Sequence, residues 1–222
     1  MSIWDWEYVW EAMPYLLQGA IVTVQATFIG FAIALVLGLV FALIRQSQNR
    51  IISGTMAEIV EFIRSTPLLL QIFFVYFVGP QFGIVIPAWT AGIGVLGIHY
   101  AAYCSECYRA GIENVDGGQW EACTALNLSM ARAWRVIILP QAIPPIVPSL
   151  GNYFIGMFKD TPILAAIAIL EMLQRAKNFG AENYRYIEAI TMAGALYLLF
   201  SLVASVIVQM ISLWLNRRYH LQ

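Results

Sequence analysis

Apolar residues in this chain come in long runs, separated by short polar breaks. Five runs stand out, at about Gly19–Ile44, Met56–Gly79, Pro87–Gly111, Ile143–Leu173 and Glu188–Leu215. Each is longer than the roughly 20 residues that a helix needs to cross the hydrocarbon of a bilayer. The short alternating segments of a membrane barrel are missing. The pattern predicts an all-α membrane protein with five transmembrane helices, forming one domain over residues 1–222. The segment before the first run, residues 1–18, carries Trp4, Trp6, Tyr8 and Trp10 and no basic residue. It lacks the basic start of a secretory signal and reads as a helix lying at the membrane interface, where amphipathic rings collect.

The fourth run is irregular. Pro140, Pro144, Pro145 and Pro148 crowd its start, and Lys159-Asp160-Thr161-Pro162 interrupts it. Proline removes a backbone donor and clashes with the preceding turn, which predicts a kink or break. Open backbone at membrane depth is tolerated only against protein or a water-filled cavity. The interruption near Lys159 is therefore expected to face a cavity.

One long polar stretch, Gln119 to Gln141, lies between the third and fourth runs. Glu113, Asp116 and Glu121 supply charge, and Ala122, Ala125 and Leu126 supply a small apolar face. From these residues alone, an ordinary amphipathic loop and a docking helix both fit. Basic residues give the orientation. Arg45, Arg50, Arg109, Arg132, Arg135, Arg217 and Arg218 fall on one side, against Arg175, Lys177 and Arg185 on the other. The first side is expected to be cytoplasmic, with the N-terminus outside and the C-terminus inside.

Composition agrees: 60% of the 222 residues are hydrophobic and 11% charged, where a soluble domain carries about 25% charged residues. The net charge of −1 gives nothing for nucleic acid to bind. Cys104, Cys107 and Cys123 make no disulfide framework, and Cys104 and Cys107, with His99 and His220 far apart in sequence, make no metal site. They read as small buried residues. Gly92-Ile93-Gly94-Val95-Leu96-Gly97 matches a dinucleotide fingerprint only in spelling, because it lies inside an apolar run with no strand before it. No phosphate loop, zinc-protease motif or serine nucleophile elbow occurs.

Ionisable residues inside apolar runs are costly, at about 2.5–3.5 kcal/mol each on insertion scales, so they are paired or functional. Glu106 and Arg109 are three apart and can pair. Glu58 and Glu61 sit at the start of the second run. Arg64 follows, just before Ser65-Thr66-Pro67, and can pair with Glu61 or face another subunit. Lys159 and Asp160 either satisfy each other or offer a base and an acid to a zwitterion. Glu171 lines a path or pairs with Arg175.

Several stretches together resemble permeases of the polar amino-acid uptake family of ABC importers, of the histidine, glutamine and arginine type. Arg64–Phe77 (RSTPLLLQIFFVYF) is similar to its second-helix signature. Ala101–Ala122 (AAYCSECYRAGIENVDGGQWEA) is similar to its third helix running into the EAA loop. Lys159-Asp160-Thr161-Pro162 lies where the family commonly has Lys-Asp-Thr-Ser, and Glu171 where it often has Glu-Leu. Within that family the chain resembles the ectoine and hydroxyectoine permeases. The resemblance covers about Gly19 to Arg218.

It implies a type I importer permease fold with a cytoplasmic EAA coupling loop at residues 112–140. Glu121, Ala122, Cys123, Ala125, Leu126, Asn127, Leu139 and Pro140 would then couple to an ATPase. Arg64, Thr66, Pro67, Glu106, Lys159, Asp160, Thr161 and Glu171 would line the substrate path. It further implies ABC ATPase subunits carrying ATP and Mg, a second or homologous permease, an extracytoplasmic solute-binding protein, surrounding lipid and a bacterial inner-membrane location. The chain itself would hold no cofactor or metal. Two departures matter. Asn127 stands where the EAA loop usually has Gly, and Asn also tolerates a left-handed backbone. Pro162 replaces a serine and removes a hydroxyl from the break. The competing reading is a secondary transporter or channel using Lys159, Asp160 and Glu106 as a proton relay, though the chain shows no internal repeat. A membrane enzyme built on Cys104, Cys107, His99 and Glu106 is a third.

Overall fold

A computed structural model describes residues 4–218. His220 and the first three residues of the N-terminal segment lie outside them. Helix α1 runs unbroken from Trp6 to Arg45. Asp5 caps it, its carboxylate accepting from the Glu7 amide at 3.0 Å. Residues expected to form a separate interfacial helix are instead the first turns of α1. Ala12, Leu16 and Ala20 pack against Met172, Ala176, Phe179, Ala189 and Ala193, and this burial outweighs the aromatic pattern. Trp6 and Trp10 remain exposed on the other face.

The second run is not one helix. Helix α2 spans Arg50–Ser65, and α3, Leu68–Phe73, follows after Thr66 and Pro67. A π-helical turn at Phe74–Val78 and a 3₁₀ turn at Gly79–Phe82 extend α3. The two parts are bent by 103°. Proline disfavours the α conformation in the residue before it, and Thr66 is extended at φ −105°, ψ 139°. Helix α4, Ala88–Glu113, follows the third run closely.

Two short helices come next, α5 at Gly117–Ala125 and α6 at Met130–Ala133. A π-helical turn, Trp134–Ile138, leads into α7, Leu139–Asp160. Here the expectation fails: Pro144, Pro145 and Pro148 lie inside α7 and do not break it. Pro140 sits in the first turn, where a missing amide costs little. The π turn just before widens the backbone, an adjustment that membrane helices use to accommodate proline, and Gln141 Nε2 donates to the Ile137 carbonyl at 3.0 Å. The break comes where Lys159-Asp160-Thr161-Pro162 is expected to interrupt the run, at Thr161–Ile167, a 3₁₀ segment ending at Ala168 with φ 60°. Helices α8, Met172–Asn183, and α9, Tyr186–Arg218, complete the fold.

By length and composition α1 and α9 each suffice to cross a membrane, and counting each bent pair as one span raises the number to four. At 26 residues α4 is also long enough, though His99, Tyr100, Tyr103 and Glu106 make it less apolar.

Helices α1 and α4 form the most extensive pairing. The cause is a stripe of small buried residues on α1 at every fourth position: Ala26, Gly30, Ala34, Gly38 and Ala42. Such stripes let membrane helices approach closely. A Cβ on Gly38 would lie 2.7 Å from Cys104 Cβ, and one on Gly97 2.7 Å from Ile33 Cγ2. Glycines that spell a nucleotide motif thus serve packing within α4: a Cβ on Gly92 would collide with Leu164, while Gly94 meets nothing.

Candidate functional site

Two groups of residues named from sequence come together, and Arg64 belongs to both. The first surrounds Glu106, on the last third of α4. Its carboxylate accepts from Arg45 at the end of α1 at 2.5 Å and pairs with Arg109 at 2.8 Å and with Arg64 at 3.6 Å. Arg64 also reaches Glu61 at 3.3 Å, and Arg109 reaches Glu113 at 2.5 Å. The pairing of Glu106 with Arg109 follows from their spacing. Arg45 joins from 61 residues away, which no local pattern shows. Three arginines on one carboxylate tie together α1, α2 and α4.

The second group lies around Asp160, at the end of α7. Tyr100 donates its hydroxyl to Asp160 Oδ2 at 2.7 Å. Tyr100, Tyr103 and Tyr153 stack in a cluster, with ring centroids 5.3–6.3 Å apart. His99 lies against Tyr103 at 5.3 Å, and its Nδ1 is 3.1 Å from Gln71 Oε1. On the far side of the cluster, the Arg64 guanidinium lies over the Tyr103 ring at 5.3 Å, and Tyr103 donates to the Arg64 carbonyl at 3.3 Å. Arg64 and Asp160 therefore flank one aromatic cluster. Its members Gln71, His99, Tyr100, Tyr103 and Tyr153 were not singled out as path residues. The signal was available: His99, Tyr103 and Glu106 fall at helical spacing in an otherwise apolar run.

Thr66 and Pro67 form the α2–α3 break beside this cluster. Thr66 Oγ1 donates to the Phe62 carbonyl at 2.9 Å and accepts from Gln71 Nε2 at 2.6 Å. Thr66 thus positions Gln71. Thr161 is fully buried and its hydroxyl turns back to the Phe158 carbonyl at 2.7 Å.

Three expectations need correction. Lys159 and Asp160 do not pair, and they do not face one another's space. Adjacent residues on a helix point about 100° apart, so Asp160 turns to α4 while Lys159 lines a cavity of about 270 Å³ with Tyr197, Ser201 and Ser205 of α9. The two side chains thus open onto different sides of α7. Glu171 neither pairs with Arg175 nor stays open. It is 0% exposed and caps α8, accepting from the Leu173 amide at 2.9 Å, the Gln174 amide at 2.6 Å and the Tyr197 hydroxyl. Cys123 is buried within α5, as its reading as a small buried residue expects and contrary to a place on the docking face, and its carbonyl accepts from the Leu128 amide at 3.0 Å.

The rest of the polar loop presents a face. Glu121, Ala122, Ala125 and Leu126 are exposed, Leu126 by 69%. Asn127 takes φ 54°, the left-handed turn that a glycine would favour and that Asn tolerates. Val115, Ile138, Ala142 and Ile146 form the core beneath, with Trp120 and Trp134 against it. Leu139 is partly exposed and Pro140 half-buried at the start of α7. A short, mainly apolar helix thus rests on this core through Trp120 and is turned outward.

The sequence profile described as binding-protein-dependent transport system inner membrane component matches residues 34–220. A probable amino-acid ABC transporter permease from Sinorhizobium fredii is 46% identical, over 93% of this chain and 89% of its own length. The nopaline transport system permease of Agrobacterium fabrum is 35% identical, over 96% of this chain and 92% of its own. Among solved structures, the crystal structure of an amino acid ABC transporter with histidines superposes with a TM-score of 0.90 at 36% identity, covering 96% of this chain and 99% of that one. The chain belongs to this family of inner-membrane transport components, and is the permease subunit of an ABC importer with the type I fold.

Proposed function

We propose that this permease forms the path for a polar or zwitterionic amino acid, or an amino-acid derivative of the ectoine kind. The observation that carries the reading is the placement of Arg64 and Asp160 on either side of the Tyr100–Tyr103–Tyr153 cluster. A guanidinium suits a carboxylate. An acid among aromatic faces suits an ammonium. The amino-acid permeases to which the chain is similar support the solute class.

The chain supplies no ATPase of its own in this reading. ATP and Mg bind a separate ATPase, which docks on Glu121, Ala122, Ala125, Leu126 and Asn127. Closure of the ATPases moves α5, and Trp120, packed against the core that includes Ile138, Ala142 and Ile146, passes that motion to the base of α7. A second permease and an extracytoplasmic binding protein complete the importer. The N-terminus lies outside and the C-terminus inside, with five crossings. Reporter fusions after Gln48, Gln81, Ser129 and Asn183 then read in, out, in, out.

The test is uptake by the chain reconstituted with its ATPase, using radiolabelled arginine, glutamine and ectoine. At least one enters in an ATP-dependent manner. Ala122→Arg puts bulk and charge into the docking face, and it abolishes uptake and solute-stimulated ATP hydrolysis while the protein still reaches the membrane. Uptake that is independent of ATP and unchanged in this variant would move the assignment to a channel or secondary transporter.

A further inference from the structure

Gln71 spans the bend between α2 and α3. Three oxygens surround its amide nitrogen: the Ile63 carbonyl at 2.7 Å, the Thr66 carbonyl at 3.2 Å and Thr66 Oγ1 at 2.6 Å. Carbonyl oxygens only accept, so the amide has one orientation that fits, with Nε2 toward the end of α2. The Thr66 hydroxyl agrees, because it spends its own proton on the Phe62 carbonyl at 2.9 Å. The other end of the amide, Oε1, is left facing α4.

There it lies 3.1 Å from His99 Nδ1. An amide oxygen only accepts, so Nδ1 carries the proton. A neutral imidazole then has its lone pair on Nε2. The two nitrogens point to roughly opposite sides of the ring, so Nε2 turns away from Gln71. The ring is 8% exposed and lies against Tyr100 and Tyr103, with centroids 5.9 and 5.3 Å away. The hydroxyls of both tyrosines are spent elsewhere, on Asp160 and on the Arg64 carbonyl. Among the described residues no donor reaches Nε2. A buried acceptor is almost always met by a donor.

The surroundings narrow what brings that donor. Asp160 and Arg64 flank the same tyrosines and suit the ammonium and the carboxylate of one solute. A third contact to that molecule falls on its side chain. A lone pair held in place attracts an N–H and repels a carboxylate oxygen. An apolar side chain leaves it unmet.

We propose that His99 sets the specificity of this permease, its Nε2 accepting from a solute side chain that ends in an N–H, as a carboxamide or a guanidinium does. Acidic and apolar side chains are turned away. Gln71 and Thr66 are positioning residues that fix which ring nitrogen faces the solute. The inference rests on the amino-acid reading of the aromatic cluster and narrows it.

The test uses the full chain with its ATPase in proteoliposomes and two pairs of labelled solutes, glutamine with glutamate and arginine with norleucine. In each pair only the first carries a side-chain N–H. The first member of at least one pair enters with kcat/KM about tenfold or more above the second, the scale expected when a buried acceptor is left unmet. His99→Phe keeps a flat ring without the acceptor, and the ratio within the pair falls several-fold. That ratio is independent of how much protein folds. His99→Gln is the second variant and offers an oxygen at similar reach. With it arginine stays ahead of norleucine, while glutamate gains on glutamine because the amide can turn to donate. Equal entry of both members into the unaltered complex, or a ratio that both variants leave unchanged, overturns the inference. So does an equal loss of both members in the variants, which would make His99 a packing residue. Entry of ectoine but of neither glutamine nor arginine would overturn it and leave the importer reading standing. ATP-dependent entry of no solute would take the importer reading down with it.

Discussion

Glu106 and Asp160 are both carboxylates in the membrane region, and their surroundings are opposites. Glu106 is enclosed by Arg45, Arg64 and Arg109. Asp160 accepts one hydroxyl from Tyr100 and lies among aromatic rings. The first acid is saturated from within the chain and holds three helices together. The second retains acceptor capacity, because a carboxylate takes about four hydrogen bonds. A charge kept in a bilayer with most of its capacity unspent is available to a ligand; one spent on neighbours is architecture. Sequence alone makes the two look alike, since each lies next to or near a base.

Removing Glu106 should have the largest effect. Glu106→Gln leaves three guanidiniums without their shared counter-charge. Breaking one side of a buried pair costs about 3–5 kcal/mol, and with Glu106 21% exposed the lower end applies. We expect a clear fall in the melting temperature of the purified complex and a matching fall in yield, with transport per folded molecule little changed. A stable Glu106→Gln protein that has lost uptake would reverse the roles of the two acids.

Asp160→Asn should do the opposite. The amide keeps the volume and can still accept from Tyr100, so the melting temperature holds. Uptake falls about tenfold or more, equivalent to at least about 1.4 kcal/mol of lost solute binding or transition-state stabilisation. The measurement is uptake and melting on one sample. A melting loss in proportion to the uptake loss would make Asp160 structural too.

Glu171 sharpens the contrast as a third acid. It is consumed by the α8 amides and Tyr197. Glu171→Gln keeps a capping oxygen but not the charge, and a lost or weakened N-cap costs typically about 1 kcal/mol. A small drop in melting temperature with uptake near normal is expected. Loss of uptake at full stability would return Glu171 to the path.

Local chemistry made much of this legible. The apolar runs mark α1, α4 and α9, and Asn127 takes the left-handed turn that its position in the loop asks for. Proline was the less reliable guide, in both directions. Thr66-Pro67 breaks the second run, as the restriction on residues before proline allows, yet the run reads as continuous by hydropathy. Pro144, Pro145 and Pro148 predict a kink or break, yet α7 runs through all three without ending. The site was half visible. Charged residues announce themselves in an apolar helix, but which one is saturated depends on partners such as Arg45 and Tyr100, brought in from 60 or so residues away. Lys159 and Asp160 are neighbours in sequence and point to different neighbours in space, which only the helix geometry reveals.

The sharp turn at Thr66-Pro67 also bears on how the protein is made. Helix α2 has 16 residues, and the helical stretch from Leu68 to Phe82 is shorter still. Neither reaches the roughly 20 residues that a hydrocarbon core demands, so neither half makes a good insertion signal for the translocation machinery. Ribosomal synthesis delivers α1 first, and the bent segment must wait for α4 before Arg64 can meet Glu106 and Gln71 can meet His99. The segment that lines the aromatic cluster is thus the one whose entry into the bilayer depends on a later helix, and faults in biogenesis should fall first on it.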